Sequence, residues 1–188
     1  MLTEYLNILD KYYPLSSDTR EELKEHISIK NFSKGDMILE FGEICNHLYF
    51  VNKGFTRIFY FKNGKEITEW FADEKQFFFS IISYFENKPS QLVIEAIEDC
   101  EIIELSKQGL ESLRKSNVEI ANLIIRFYSR SLILSQKRME SMQFETASMR
   151  YQNLLTRQPN ILKKVPLQHL ASFLGITQET LSRIRANL

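Results

Sequence analysis

Residues 165–188, VPLQHLASFLGITQETLSRIRANL, have the spacing of two short helices that cross each other. Small and apolar residues recur where such helices would pack, at Leu167, Leu170, Ala171, Leu174, Leu181 and Ile184. Gly175 stands between the two helices, where a turn needs positive φ, and Thr177 can cap the second helix. The pattern predicts a helix-turn-helix, although an ordinary surface hairpin of helices would share part of it.

The second helix of this pair carries polar residues on the face that packing leaves free: Gln178, Glu179, Ser182 and Arg183. Glu179 and Arg183 lie four residues apart and therefore on one side of the helix. A carboxylate can accept from cytosine N4, and a guanidinium can donate to guanine O6 and N7. We therefore predict that these four side chains read bases in a DNA major groove.

Charge is segregated along the chain, although the totals cancel. Residues 147–188 hold six Lys or Arg and one acidic residue, Glu179, whereas the preceding residues hold 18 basic and 23 acidic residues. A positive C-terminal end suits a polyanionic partner.

The composition restricts the class of protein. A chain of 188 residues with 44% hydrophobic content can bury one large core and a small second domain. No apolar run approaches a membrane span, and the N-terminus lacks a basic segment followed by an apolar one, so we expect a cytoplasmic protein with no membrane partner. Cys45 and Cys100 have no CxxC spacing, which indicates reduced packing residues.

The first part of the chain combines two helices with many short strands. Leu2, Tyr5, Leu6 and Leu9 repeat on one helical face, and a second helix begins at Ser17 or Asp18 and runs on to include Ile27. Asn63-Gly64 is a strong signal for a type I′ hairpin. Strands are predicted over 37–41, 48–51, 55–61, 66–71, 91–96 and 100–105, a number and spacing that indicate a sandwich or jelly roll.

A long helix follows, with an apolar seam of 3-4 spacing over about seven turns. The seam consists of Val118, Ala121, Ile125, Tyr128, Leu132, Ser135, Met139 and Met142. A second stripe beside it, Ile120, Ile124, Phe127 and Leu134, would pack on the β-rich region. Two stripes need two partners, which favours a homodimer over a helix buried by its own domain. We expect the helix to end near Ala147 and another to run from Arg150 to Arg157.

The chain resembles the Crp/Fnr family of transcription regulators over nearly its whole length. KGDMILEFGEICNHLYFVNKGFTRIFYFKNGKE (34–66) is similar to the opening of that family's β-roll, and LASFLGITQETLSRIR (170–185) to its DNA-reading helices. The resemblance implies an α+β fold with three parts. These are a jelly-roll sensor of the cyclic-nucleotide-binding type with N-terminal helices (1–116), a dimerisation helix (117–146), and a helix-turn-helix domain (147–188). We expect this last domain to lack the small β wing that many relatives add.

The resemblance also implies how DNA would be bound. A dimer would read a two-fold symmetric site in double-stranded DNA, with Glu179 and Arg183 at the positions of the family's base-contacting residues. Without a wing, phosphate contacts would come from helix N-termini and from nearby polar side chains. The candidates are Lys163, Lys164, Gln168, Thr177 and Thr180. RNA polymerase is a further candidate partner.

The family's cAMP-binding pattern is absent. Members that bind cAMP carry a Gly-Glu pair and, some ten residues on, an Arg-Ser or Arg-Thr pair, which hold the ribose and the cyclic phosphate. Here Ser80-Ile81 and Ser90-Gln91 occupy those positions, so both charges are missing. We expect no cAMP binding. The pocket is left either to another, unidentified effector or to the chain's own side chains, with Phe79, Ser80, Ile81, Ser90, Gln91 and Ser135 as the candidate lining.

Other classes of function find little support. A cupin-type enzyme needs histidines that converge on a metal, but His26, His47 and His169 fall on a predicted helix, a strand start and the helix-turn-helix. No GxSxG, P-loop or HExxH pattern occurs. We therefore expect no enzymatic activity, catalytic residues, metal or cofactor. A ligand-independent interaction module with a degenerate helix-turn-helix remains the main alternative.

Overall fold

The structure is a computed structural model that describes residues 2–187. Met1 and Leu188, at the outer ends of the predicted first and third parts, lie outside the described residues. Within residues 2–187, no helix is long and apolar enough to span a membrane.

Two helices open the chain, α1 (Leu2–Asp10) and α2 (Ser17–Lys24). The apolar face of α1 packs into the core as predicted, with the Tyr5 ring edge-on to Phe50 at 5.1 Å. The Ser16 side chain caps α2 by accepting a hydrogen bond from the Thr19 amide. The expected extension of α2 through Ile27 is wrong. Residues from Ile27 onward pair antiparallel with residues 100–105, and this ladder outweighs the local helical pattern.

Eight strands follow within the described residues, and they form two antiparallel sheets of four. The strands are β1 (Ile27–Phe32), β2 (Met37–Leu39), β3 (His47–Lys53), β4 (Thr56–Lys62), β5 (Lys65–Ala72), β6 (Phe77–Phe78), β7 (Val93–Ala96) and β8 (Cys100–Ser106). One sheet has the order β1-β8-β3-β6 and the other β2-β7-β4-β5. The predicted jelly roll is confirmed, with β1 and β6 added and with two predicted strands shortened.

The hairpin between β4 and β5 turns at the predicted dipeptide. Asn63 and Gly64 have φ values of 52° and 72°, the positive pair that a type I′ turn requires. β5 forms the edge of its sheet.

Two short helices complete the roll, α3 (Ile81–Glu86) and α4 (Lys107–Leu113), before the long α5 (Val118–Phe144). The second stripe of α5 packs as predicted at Ile120, Ile124 and Phe127, which are all buried in the main core. Leu134, the fourth member, stays exposed. Most of the other stripe faces solvent, and Val118, Ile125 and Leu132 are 73%, 62% and 72% exposed.

Tyr128 differs from the rest of the predicted seam. Its hydroxyl lies 3.2 Å from that of Tyr84, and its ring packs edge-on against Phe85 of α3 at 4.9 Å. It is half-buried within its own chain, because α3 lies close to this turn of α5.

Four helices end the chain: α6 (Ala147–Arg157), α7 (Ile161–Lys164), α8 (Leu167–Leu174) and α9 (Gln178–Ala186). The expected break near Ala147 is present, because Glu145 is extended and Thr146 caps α6 through the Met149 amide. α6 begins three residues earlier than predicted.

Candidate DNA-reading site

The turn between α8 and α9 has the geometry that the sequence predicts. Gly175 adopts the left-handed conformation with φ of 68°, and its amide bonds to carbonyls at the end of α8. The Thr177 hydroxyl accepts from the Thr180 amide at 3.2 Å and caps α9. Leu170, Ala171 and Leu181 pack between the helices with at most 2% exposure, so the crossing is held by a dry contact.

The opposite face of α9 is open to solvent. Gln178, Glu179, Ser182 and Arg183 are all exposed. The pKa of the Glu179 carboxyl is lowered, first by the Thr177 hydroxyl and further by Arg183. Glu179 is therefore ionised at neutral pH and can act only as a hydrogen-bond acceptor.

The candidate phosphate-contacting residues divide into two groups. Lys163, Gln168 and Thr177 are exposed, and Thr180 is half-buried. The Lys164 ammonium instead lies 3.0 Å from Asp73 and 3.1 Å from Glu98, both of which belong to the roll. In this arrangement Lys164 ties the last helices to the roll.

Helix α8 lies along the edge strand β5. The Thr68 amide donates to the Ser172 hydroxyl at 2.8 Å, and the Phe173 ring packs on Phe71 with centroids 5.2 Å apart. The helix-turn-helix therefore shares a second core with the roll, made of Phe55, Phe71, Ile97, Tyr151, Leu154, Ile161, Val165, Leu170, Ala171, Leu174 and Leu181. The sequence pattern did not predict this contact. Its signal was the apolar run Trp70-Phe71-Ala72, which must have packing partners on both faces of β5.

Arg57, on β4, contacts both the roll and the helix-turn-helix. It is 1% exposed and its guanidinium lies 2.7 Å from Glu66 and 3.1 Å from Glu95. Its Nη1 also lies 3.3 Å from Nε2 of His169 on α8. Burial, reinforced by the Arg57 charge, lowers the pKa of His169. A lone arginine inside the apolar strand TRIFYF was the available sequence signal for this cluster.

The candidate effector residues do not form one open lining. Ser80, Ser90 and Phe79 are buried, whereas Ile81, Gln91 and Ser135 are exposed. The Ser90 hydroxyl donates to Ser80 Oγ at 2.9 Å or to the Leu92 carbonyl at 2.8 Å, and it accepts from the Leu92 amide. The hydroxyls of Ser80 and Ser90, two of the candidate effector residues, therefore lie within hydrogen-bond distance of each other.

The three histidines lie apart in the fold. His26 is in the turn after α2 rather than on the predicted helix, His47 begins β3, and His169 lies on α8. Within the described residues, no group of three His, Cys, Asp or Glu side chains is placed to hold a metal ion.

The fold described above is similar to that of known proteins. Residues 29–117 match the model of the cyclic nucleotide-binding domain. Among solved structures, FixK2 from Bradyrhizobium japonicum superposes with a TM-score of 0.72 at 21% identity, over 86% of this chain and 84% of that one. A transcriptional regulator of the Crp/Fnr family from Eubacterium rectale matches 93% of this chain and 85% of its own, with a TM-score of 0.71 at 18% identity. The chain has the Crp/Fnr fold.

The curated relatives match this chain over a smaller fraction of their own length than the solved structures do. The cAMP-dependent protein kinase regulatory subunit of Debaryomyces hansenii is 27% identical over 120 residues, which is 64% of this chain and 26% of that protein. The corresponding subunit of Candida albicans is 25% identical over 122 residues. The chain spans about a quarter of the length of these relatives. The matches to these relatives cover 64% of this chain, whereas the two matches to solved structures cover 86% and 93% of it.

Proposed function

We propose that this protein is a DNA-binding transcription regulator that reads a two-fold symmetric site as a homodimer. The observation that carries the proposal is the orientation of α9. Leu181 is fully buried against the first helix of the pair, and the face with Glu179 and Arg183 is free to enter a major groove. The Crp/Fnr-family regulator from Eubacterium rectale, which shares the fold, supports the same conclusion.

The exposed stripe of α5 supports the homodimer. Val118, Ile125, Leu132, Met139 and Met142 are at least 40% exposed and follow one face of the helix. So many exposed apolar residues on one helix face are unusual on a monomer surface and mark an interaction site. A second copy of α5 offers the matching stripe, and the resulting two-fold axis is what a symmetric DNA site requires.

Selection of random DNA duplexes tests the proposal. We expect a symmetric motif whose half-sites are centred about 10 to 10.5 base pairs apart. Arg183→Ala should lose about 1 to 3 kcal/mol of binding free energy and flatten the base preference at one position of each half-site. Arg185→Ala is the matched control, because Arg185 is an exposed arginine of the same helix outside the predicted reading set.

Failure to recover any symmetric motif would favour the interaction module with a degenerate helix-turn-helix. Retention of the unaltered motif by Arg183→Ala would leave DNA binding intact but remove Arg183 from base reading.

The regulator should not respond to cAMP. A buried cyclic phosphate needs a cation, and a charged hydrogen bond contributes roughly 1.5 to 3 kcal/mol. Ser90 offers no charge and already bonds to Ser80 and Leu92. Calorimetric titration of the full chain with cAMP should show no micromolar site, and a micromolar site would contradict this part of the proposal.

A further inference from the structure

A cavity of about 690 Å³ lies where the roll, the long helix and the last helices meet. Its walls come from β5 and β6, α5, α6 and the end of α8. None of the eight dimer-seam residues and none of the six candidate effector residues lines it. The cavity is therefore separate from both sites discussed above, and its volume is in the range of small-molecule sites.

The lining is strongly cationic in a chain of zero net charge. It contains two acidic residues, Glu140 and Glu145, and six basic ones: Lys75, Arg130, Lys137, Arg138, Arg150 and Arg157. Within the described residues, Lys75 is the member that forms an ion pair, with Glu4. Within residues 2–187, no carboxylate oxygen lies within 4 Å of a side-chain nitrogen of the other five basic residues.

Two of the arginines are hydrogen-bonded to the end of α8. Arg138 donates to the Phe173 carbonyl and lies over the Phe173 ring at 3.9 Å, while Arg150 donates to the Leu174 carbonyl at 2.8 Å. Burial and the nearby Arg150 charge lower the pKa of Arg138 to about 10, which still leaves it protonated at neutral pH. Glu69 and the carbonyls at the end of α8 offset part of the repulsion between Arg138 and Arg150, and a bound anion would offset more of it.

Aromatic and apolar side chains form the rest of the wall. Trp70, Phe77, Phe127 and Phe173 line the cavity, and Phe144 and Leu134 at its border are 79% and 42% exposed. Aromatic side chains beside hydrogen-bonded cations suit a ligand that has a ring at one end and several negative charges at the other.

We propose that this cavity binds an aromatic polyanion, for which a nucleoside polyphosphate is the model ligand. Its phosphates contact the cations of α5 and α6, and its ring packs against the aromatic wall. The proposal does not depend on DNA binding.

The chain carries its own reporter for this site. Trp70 is the one tryptophan in the sequence and lines the cavity. Titration of the full chain with ATP should therefore change the tryptophan fluorescence saturably. Inorganic tripolyphosphate should compete with ATP but bind more weakly, and adenosine and singly charged cAMP should bind at least about tenfold more weakly than ATP.

Paired variants test the cations. Lys137→Gln with Arg157→Gln removes two exposed lining charges that have no hydrogen-bond partner within the described residues. This pair should weaken ATP binding at least about tenfold, since two charge-assisted contacts are lost. Lys62→Gln with Lys115→Gln removes the same charge from exposed positions outside the cavity and should leave the affinity unchanged.

Absence of a saturable fluorescence change up to millimolar ATP would overturn the proposal. Equal weakening of ATP binding by the two pairs of substitutions would also overturn it, because ATP would then be attracted by the net charge of the protein and not by the cavity. Binding of tripolyphosphate as tight as that of ATP would exclude the aromatic part of the ligand.

Discussion

The hydroxyl of Ser172 on α8 accepts a hydrogen bond from the Thr68 amide of β5 at 2.8 Å. The same hydroxyl lies 3.3 Å from the Glu66 carbonyl, to which it can donate. β5 is the edge of its sheet, and an edge strand presents unpaired backbone groups that can recruit another chain. Ser172 therefore both closes the edge of the roll and fixes the position of the helix-turn-helix.

Removal of this hydroxyl should loosen the contact. Ser172→Ala leaves the buried Thr68 amide without its side-chain acceptor, which should cost about 1 to 3 kcal/mol. Amide hydrogen exchange should accelerate at Thr68 and in α8 but stay unchanged in the ladder between β1 and β8. Ser182→Ala, which removes an exposed hydroxyl from α9, is the control. Unchanged exchange in α8 would show that the apolar core alone holds the two parts together.

Local pattern predicted most of the fold, and non-local contacts account for what it missed. The Asn63-Gly64 turn, the Thr177 cap and the left-handed Gly175 depend on neighbouring residues, so the sequence specifies them directly. The first strand depends on pairing with β8, about seventy residues away. The burial of Arg57 and the pairing of Lys164 similarly require knowledge of which surfaces meet.

The buried histidine beside Arg57 should make stability depend on pH. The pKa of His169 is lowered from its ordinary 6.5 by burial and then by Arg57. Below about pH 6.5 the unfolded chain therefore binds more protons at this residue than the folded one, so the free energy of unfolding should fall as the pH drops. His169→Gln, which cannot be protonated in this range, should reduce that fall in urea titrations between pH 7.5 and 5.5.

Other groups also contribute to the dependence of stability on pH, among them His47, Glu69 and Glu95, and must be separated from His169. Burial also lowers the pKa of His47, so His47, like His169, makes the free energy of unfolding fall as the pH drops. His47→Gln therefore serves as a parallel variant. Burial raises the pKa of Glu95, which faces Arg57. This shift makes the free energy of unfolding rise as the pH drops, and it is present in both histidine variants. If His169→Gln and the wild type lose stability equally on acidification, His169 is not buried beside Arg57 in solution.

The α5 seam should tolerate no charge at its exposed centre. Leu132→Glu would place a carboxylate in the proposed dimer contact without an opposite charge, which is strongly unfavourable. Light scattering should then give a monomer mass. Leu132 is a cleaner position than Tyr128, because the Tyr128 hydroxyl and ring already contact Tyr84 and Phe85 of the same chain. Ile133→Glu adds the same charge at an exposed apolar position whose neighbours three and four residues away all lie outside the seam, and it should remain dimeric. A dimer mass for Leu132→Glu would place the interface elsewhere.

Two adjacent lysines should behave differently on DNA. Lys163 is exposed, whereas Lys164 is paired with Asp73 and Glu98. Each phosphate contact releases counterions and contributes about 0.9 to the slope of log K against log salt. Lys163→Ala should therefore weaken binding to all sequences alike and reduce the slope by about that amount. We expect Lys164→Ala to leave the slope unchanged, because its charge is already neutralised by the roll. The measurement is a set of DNA titrations between 50 and 200 mM salt with each variant and the wild type. If both substitutions reduce the slope equally, Lys164 must leave its two carboxylates when DNA binds, and the helix-turn-helix then separates from the roll at that corner.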